Sequence, residues 1–421
     1  MLAEPRVSGL HQIPAMDLPD RRERAIVFLI AAVQFVNILD FVMVMPMGPD
    51  FAAALGIPSS RLGMIGGSYT AAAALSGLAG SFFLDRFDRR PALGIAMLGL
   101  VAGTAMGGMA TGFSSLIAAR VLAGFFGGPA TSLSFSIIAD TVPVQRRGRA
   151  MGIVMGAFSV AAVLGVPAGL ELARRIGWRA PFFAVAGLGL VIAVCAVALL
   201  PPMRGHLEER EETAPLRDLF AQPTVLVSWA MTFLVMAAGF IIIPNISAYV
   251  QINLGYPRAH LGLLYLYGGA VSLFATQGAG WLIDRYGSFR VGTAGTLCLA
   301  GAIYAGFWAA PPLLPVAGIF IFFMLAMAFR NVAYNTLTTR VPRSTERARF
   351  MSIQSAVQHA ASAAGAFLSS QMLTELPGGA LGGMNRVALT SIALTLTLPA
   401  LLALVESAVH RREAQPTALA A

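Results

Sequence analysis

The sequence predicts an all-α integral membrane protein of 12 transmembrane helices, arranged as two six-helix bundles related by a parallel pseudo-repeat. Three observations predict it. Of 421 residues, 57% belong to the apolar set, only 12% carry formal charge, and mean hydropathy is +0.73. A soluble chain holds roughly 25% charged residues and has nowhere to bury so much apolar surface. Twelve apolar runs follow one another, each near the about 20 residues that a bilayer core requires. Short motifs then recur about 199 residues apart, so the last six runs repeat the first six.

The runs lie at approximately 25–47, 61–84, 91–111, 114–139, 148–170, 180–200, 224–250, 260–283, 289–309, 313–339, 350–373 and 382–408. They divide the chain into a tail (1–24), a first bundle (25–200), a linker (201–223), a second bundle (224–408) and a tail (409–421). The linker is the longest charged segment, with Arg204, Glu208, Glu209, Arg210, Glu211, Glu212, Arg217 and Asp218. The first run follows Arg21, Arg22 and Arg24 and is not closed by a small-residue cleavage site, so no removable leader is expected. Twelve spans take up about 240 residues, which leaves no room for a large soluble catalytic domain. There is no Gly-rich phosphate loop, metal-ligand spacing or nucleophile–base set, so neither an enzyme nor a cofactor is expected. Without an ATP site, uphill transport would draw on an ion gradient. Cys195 and Cys298 lie far apart inside apolar runs and form neither a disulfide framework nor a metal pattern.

All 29 basic residues are arginine, and their placement orients the chain. Twenty-one fall in the two tails and in the connections on the same side, six fall on the other side, and Arg120 and Arg330 sit inside spans. The positive-inside rule therefore places both termini in the cytoplasm. It also explains the net charge of +9 without a nucleic-acid partner. The all-arginine basic set suggests a bacterial genome rich in G and C, hence the bacterial inner membrane as the site.

The repeat is specific. Asp85-Arg86-Phe87 returns as Asp284-Arg285-Tyr286, Leu62-Gly63 as Leu261-Gly262 and Val142-Pro143 as Val341-Pro342, each 199 residues later; Arg147, Arg149 and Met151 return as Arg347, Arg349 and Met351 after 200. Six spans repeated with the same sidedness form two bundles about an axis along the membrane normal. A cavity lies between them, and rocking opens it to alternate sides. This is the design of a transporter rather than a channel or a membrane enzyme.

The span 2–3 connection Ser81-Phe82-Phe83-Leu84-Asp85-Arg86-Phe87-Asp88-Arg89-Arg90 resembles the signature loop of the major facilitator superfamily, with Ser81 and Asp88 where the family usually has glycine. The second copy, Gly280-Trp281-Leu282-Ile283-Asp284-Arg285-Tyr286-Gly287, keeps both glycines. Arg120 and Gly124 in span 4 fit the family's second motif. Gly156, Gly165, Pro167 and Gly169 in span 5 resemble the motif of the 12-helix drug/proton antiporter branch, with Val166 at an often-glycine position. The resemblance implies proton-coupled antiport of small amphiphilic compounds, such as drugs or metabolites, by alternating access. A fold of this kind can function in the lipid bilayer as a monomer. Uptake symport or exchange of an organic anion uses the same machinery and is the alternative.

Individual residues carry roles within that frame. At about 1.5 Å per residue, Asp40 in span 1 and Arg120 in span 4 lie about 10 and 9 Å below the outer surface, so two opposite charges match in depth and should pair. A neighbouring guanidinium favours a carboxylate and desolvation favours the carboxylic acid. Alternating environments would make Asp40 the proton carrier and Arg120 its tuner; the other reading is a permanent ion pair. Arg120, Gly124, Gly127, Thr131 and Ser134 share one stripe of span 4, facing the cavity or a tight helix contact. Asp85 with Arg86 and Arg89, and Asp284 with Arg285, could latch one conformation, or simply mark topology. Span 5 glycines permit close packing and Pro167 a kink. Candidate substrate contacts are Gln34 and Asn37 in span 1, Asn245 and Tyr249 after Pro244 in span 7, Tyr265 in span 8, Arg330, Asn331 and Tyr334 in span 10, and Gln354 and Gln358 in span 11. Amides at such depth serve either as ligands or as glue between helices. Arg330 has no acid at matching depth in its half; it would hold an anionic group of a substrate or pair across to Asp40.

Overall fold

The computed structural model describes residues 21–203, 219–309, 311–343 and 346–418. Most of the charged linker, the outer part of both tails and the Asp85 side chain lie outside the described residues. Eleven helices among the described residues are long and apolar enough to cross a membrane. They are span 1 (Arg21–Val44), span 2 (Ser59–Gly80), span 3 (Arg89–Gly108), span 4 (Phe113–Thr141), span 5 (Arg146–Ile176), span 6 (Ala180–Leu199), span 7 (Pro223–Asn253), span 8 (Arg258–Tyr286), span 9 (Ser288–Trp308), span 10 (Val316–Thr339) and span 12 (Met384–Arg412). Span 11 (Arg347–Met372) is an equally long helix. Its Gln354, Gln358, His359 and serines reduce its apolarity, which is why composition alone finds eleven.

Helix ends follow local chemistry. The tight turn between spans 8 and 9 is made by Gly287 at φ +85°, a conformation that costs a side chain energy but suits glycine. The first-half copy has Asp88 there. Its φ is −58°, and its carboxylate instead accepts the N–H of Arg90 at 3.1 Å as an N-cap and that of Met203 at 3.1 Å. Ser115 caps span 4 by accepting from Thr111 and Gly112 N–H. Span 5 is interrupted by a π-helical turn, Ala161–Gly165, directly before Pro167, which loosens the helix where the proline lacks an N–H. Span 7 breaks at Ile243–Asn245 around Pro244, as expected, and ends in a π-helical turn, Tyr249–Asn253.

The connections after spans 2, 4, 8 and 10 define the arginine-rich end; those after spans 1, 3, 5, 7, 9 and 11 define the arginine-poor end. The two halves meet along span 2 with span 11 and span 5 with span 8. At the arginine-poor end the backbones are in contact. A methyl group on Gly63 would collide with the Ala366 carbonyl, one on Gly67 would lie 3.2 Å from Ala366 Cβ, and one on Gly269 3.1 Å from Val163 Cα. Eleven residues beyond Gly269, about 16 Å further and on the same helix face, Gly280 meets nothing within 4 Å. Gly77 on span 2 touches only Gly128 of its own half. The halves therefore close at the arginine-poor end and part toward the arginine-rich end.

Candidate functional site

Span 4 approaches span 2 so closely that a methyl on Gly124 would collide with the Tyr69 backbone, and one on Gly127 with the Tyr69 hydroxyl. The small-residue stripe is thus a tight helix contact, the second of the two roles read from sequence. This contact places the Tyr69 ring 4.6 Å from the Arg120 guanidinium. Arg120 Nη1 donates to both Asp40 oxygens at 3.0 and 2.9 Å, and Nη2 to the Asp40 carbonyl at 3.4 Å. The Thr104 hydroxyl, from span 3, donates to Asp40 Oδ1 at 2.8 Å. The pair is sealed from solvent, with side chains 1% and 0% exposed. Asp40 and Arg120 are therefore paired as their depths required.

Asn37, one turn away, is saturated. Its Nδ2 donates to the Gly127 carbonyl at 2.9 Å and Thr131 Oγ1 at 2.8 Å, and its Oδ1 accepts from Tyr69 at 2.6 Å. It joins spans 1, 2 and 4 and is helix glue here, not a free substrate ligand. Gln34 is buried with Oε1 unpartnered. Tyr69 and Thr104 were not singled out from sequence: nothing distinguishes one hydroxyl in an apolar span until its neighbour is known.

In the second half, Arg330 is 2% exposed. Its Nε and Nη2 both donate to Asn331 Oδ1, at 3.3 and 3.0 Å, and Nη1 has no partner. Pairing across to Asp40 is not made, because both Asp40 oxygens are held by Arg120 and Thr104. The Tyr334 hydroxyl lies near Asn335 and Gln358 without completing an aligned hydrogen bond. Gln354 Nε2 donates to Thr232 at 2.6 Å, leaving Oε1 free. Asn331 and Gln358 are half-buried. Three other candidates are placed elsewhere. Asn245 donates to Ser369 at 3.1 Å inside the closed seam; Tyr249 packs on Phe307 at 5.6 Å and Tyr265 on Phe320 at 4.8 Å. These rings bury against aromatic neighbours of their own half, where apolar contact outweighs exposure of a hydroxyl.

The arginine-poor end carries a clasp between halves. Arg258 donates from Nε and Nη2 to the two Asp50 oxygens at 2.7 and 2.6 Å and to the Leu170 carbonyl at 3.1 Å. Ser247 donates to the Pro46 carbonyl at 2.6 Å. Phe41 stacks on Phe240 across the seam at 5.9 Å. At the opposite end lie the expected latch residues, of which the Asp85 side chain is outside the described residues. Arg89 pairs with Asp140 at 2.5 Å within the first half. Arg86 and Asp284 are exposed, and Arg285 lies over the Trp281 and Tyr286 rings. Gly165 and Gly169 pack on Leu39 and Met43 of span 1, and the Pro167 carbonyl faces Gly262. A methyl on Gly156 would meet nothing within 4 Å, at the end where the halves part.

A family model described as the Major Facilitator Superfamily matches residues 30–366. The chain belongs to that superfamily. Among curated relatives of this superfamily member, a chloramphenicol resistance protein of Streptomyces lividans is 27% identical over 359 residues, 83% of this chain and 90% of that one. Among solved structures, a bacterial homologue of the human lysosomal transporter Spinster, inward-facing and occupied, has a TM-score of 0.75 at 16% identity, covering 93% of this chain and 98% of that one. The inward-open xylose transporter XylE of E. coli has 0.67 at 17%, covering 89% and 95%. The human organic anion transporter MFSD10 has 0.62 at 19%, covering 91% and 100%. At such identities the likeness is one of fold: this chain is a multi-pass membrane transporter, not an enzyme.

Proposed function

We propose that this superfamily member is a proton-coupled exporter of small amphiphilic compounds, working by alternating access in a bacterial inner membrane. The observation that carries the reading is the sealed Asp40–Arg120–Thr104 cluster. One guanidinium holds both Asp40 oxygens at that depth, and a proton on Asp40 would cancel the attraction and release Arg120. The positive-inside bias puts the arginine-rich end and both termini in the cytoplasm, so the open end faces inward. In this cycle the inward-open state is the one that gives up the Asp40 proton. Opening outward would reload Asp40 while the compound leaves. The proton gradient is the only energy source required, with no cofactor, and one chain holds the whole device. Similarity to a chloramphenicol resistance protein supports export. Gln34, Arg330, Asn331, Tyr334, Gln354 and Gln358 are the side chains left to meet a substrate.

Proteoliposomes with an internal pH dye test this. Addition of a transported amphiphile should move protons in wild type and not in Asp40→Asn. Undiminished proton movement in Asp40→Asn would sink the coupling site. The uptake of an organic anion, favoured by Arg330, predicts that protons and compound move in the same direction rather than in opposite ones.

A further inference from the structure

The two halves treat equivalent positions differently. At the 199-residue offset, Phe41 corresponds to Phe240, and these two rings meet across the seam. Asp40 then corresponds to Gly239. A Cβ at Gly239 would lie 3.5 Å from Arg330 Nη2 and 3.6 Å from Ile243 Cδ1. The second half therefore turns a guanidinium toward the position where the first half has its carboxylate, and has a glycine there.

No other acid of that half can serve. Asp284, Glu346, Glu375 and Glu406 stand at span ends or in connections, far from the middle of span 10. Arg330 makes hydrogen bonds only to its own neighbour Asn331, so it holds no second helix, and one nitrogen is left without an acceptor. A buried arginine without a counter-charge inside a bilayer is costly to keep and marks a functional site. Its one hydrogen-bond partner, Asn331, is half-buried, and half-buried Gln358 lies near Tyr334 of the same span.

We infer that the transported compound supplies the missing carboxylate: an organic acid on an apolar scaffold, seated on the unpartnered Nη1 of Arg330. The inference rests on the transport reading above and specifies its substrate class. A carboxylate meets the planar guanidinium through two parallel hydrogen bonds, whereas the corresponding amide offers one neutral acceptor.

The test uses full-length protein in detergent, titrated with a series of aryl-alkyl carboxylates and with the matching primary amides while thermal unfolding is followed. Sodium chloride and sodium phosphate form a separate arm. The carboxylates should bind about tenfold or more tightly than their amides, the difference expected for charged hydrogen bonds. Arg330→Gln should remove that preference, and Arg330→Lys should keep part of it. Gly239→Asp provides an internal counter-charge; it should abolish carboxylate binding without lowering the unfolding temperature, so loss of fold cannot mimic the result. Equal affinity for acid and amide, retained acid binding in Gly239→Asp, or equal stabilisation by chloride or phosphate would each overturn the inference. Movement of amides but not acids in proteoliposomes overturns this inference alone. Movement of neither overturns the transport reading with it.

Discussion

The Asp50–Arg258 clasp should hold the arginine-poor end shut, and its strength follows from its surroundings. The two side chains are 23% and 24% exposed, between a surface pair, worth about 0–1 kcal/mol, and buried charged hydrogen bonds of about 1.5–3 kcal/mol. The bidentate geometry and the third bond to Leu170 place it at about 1–2 kcal/mol, which changes a two-state ratio about 5- to 30-fold. The perturbation is Asp50→Ala, Arg258→Ala and both together. Spin labels on Ala54→Cys and Ala259→Cys, exposed residues on either side of the seam, report the opening by pulsed distance measurement once Cys195 and Cys298 are replaced by serine. Each single variant should populate a longer distance. The double-mutant cycle should return a coupling of about 1 kcal/mol, and Asp50→Arg with Arg258→Asp should restore the short distance. Unchanged distances in both single variants, or additive effects, would refute the clasp.

Three further expectations can be checked. Arg120→Ala leaves Asp40 buried without its partner and should cost about 3–5 kcal/mol, read as lost thermal stability; Arg120→Ala with Asp40→Asn should recover most of it. Tyr69→Phe keeps the ring beneath Arg120 and loses only the bond to Asn37, about 1 kcal/mol, whereas Tyr69→Leu loses both; equal stability of the two variants would remove the cation–π contact from the account. Gly63→Leu should hold the arginine-poor end open through collision with Ala366. Gly280→Leu should leave this state intact yet impair turnover by obstructing closure at the other end, seen in the same distance measurement and in proton flux.

The fold was legible because a bilayer enforces length, apolarity and charge bias together, and because the repeat occurs twice in one chain. Asp40 and Arg120 were legible for the same reason: charges inside spans are few, so matching depth suffices to pair them. The amides were not. Asn37 and Gln34 share a face of span 1, yet Asn37 is consumed by Gly127, Thr131 and Tyr69 while Gln34 keeps a free oxygen. Only the close approach of spans 2 and 4 decides between them. The clasp was readable only as charge count, since Arg258 and Asp50 acquire meaning when two connections from opposite halves are adjacent.

The repeat also explains what the span 5 motif contributes. Gly63 and Gly262 are counterparts at offset 199, and so are Pro167 and Ala366. In the closed seam Gly63 faces the Ala366 carbonyl and Gly262 faces the Pro167 carbonyl, so one contact is made twice, once on each side of the pseudo-twofold axis. The copies differ in tightness. A methyl on Gly63 would collide, whereas one on Gly262 would sit 3.7 Å from Pro167 O. The π-helical turn before Pro167 is absent from the described part of span 11, which runs as unbroken α-helix. Span 5 is thus the looser wall of the seam, fitted to span 1 through Gly165 against Leu39 and Gly169 against Met43. Since span 1 also carries Asp40, a shift of span 5 during opening bears directly on the helix that holds the carboxylate. The same shift of span 11, packed through Gly365 on the Ala237 backbone, bears on span 7 beside Gly239 and Arg330. The rocking proposed for this transporter would in this way be connected by helix contact to both buried arginines.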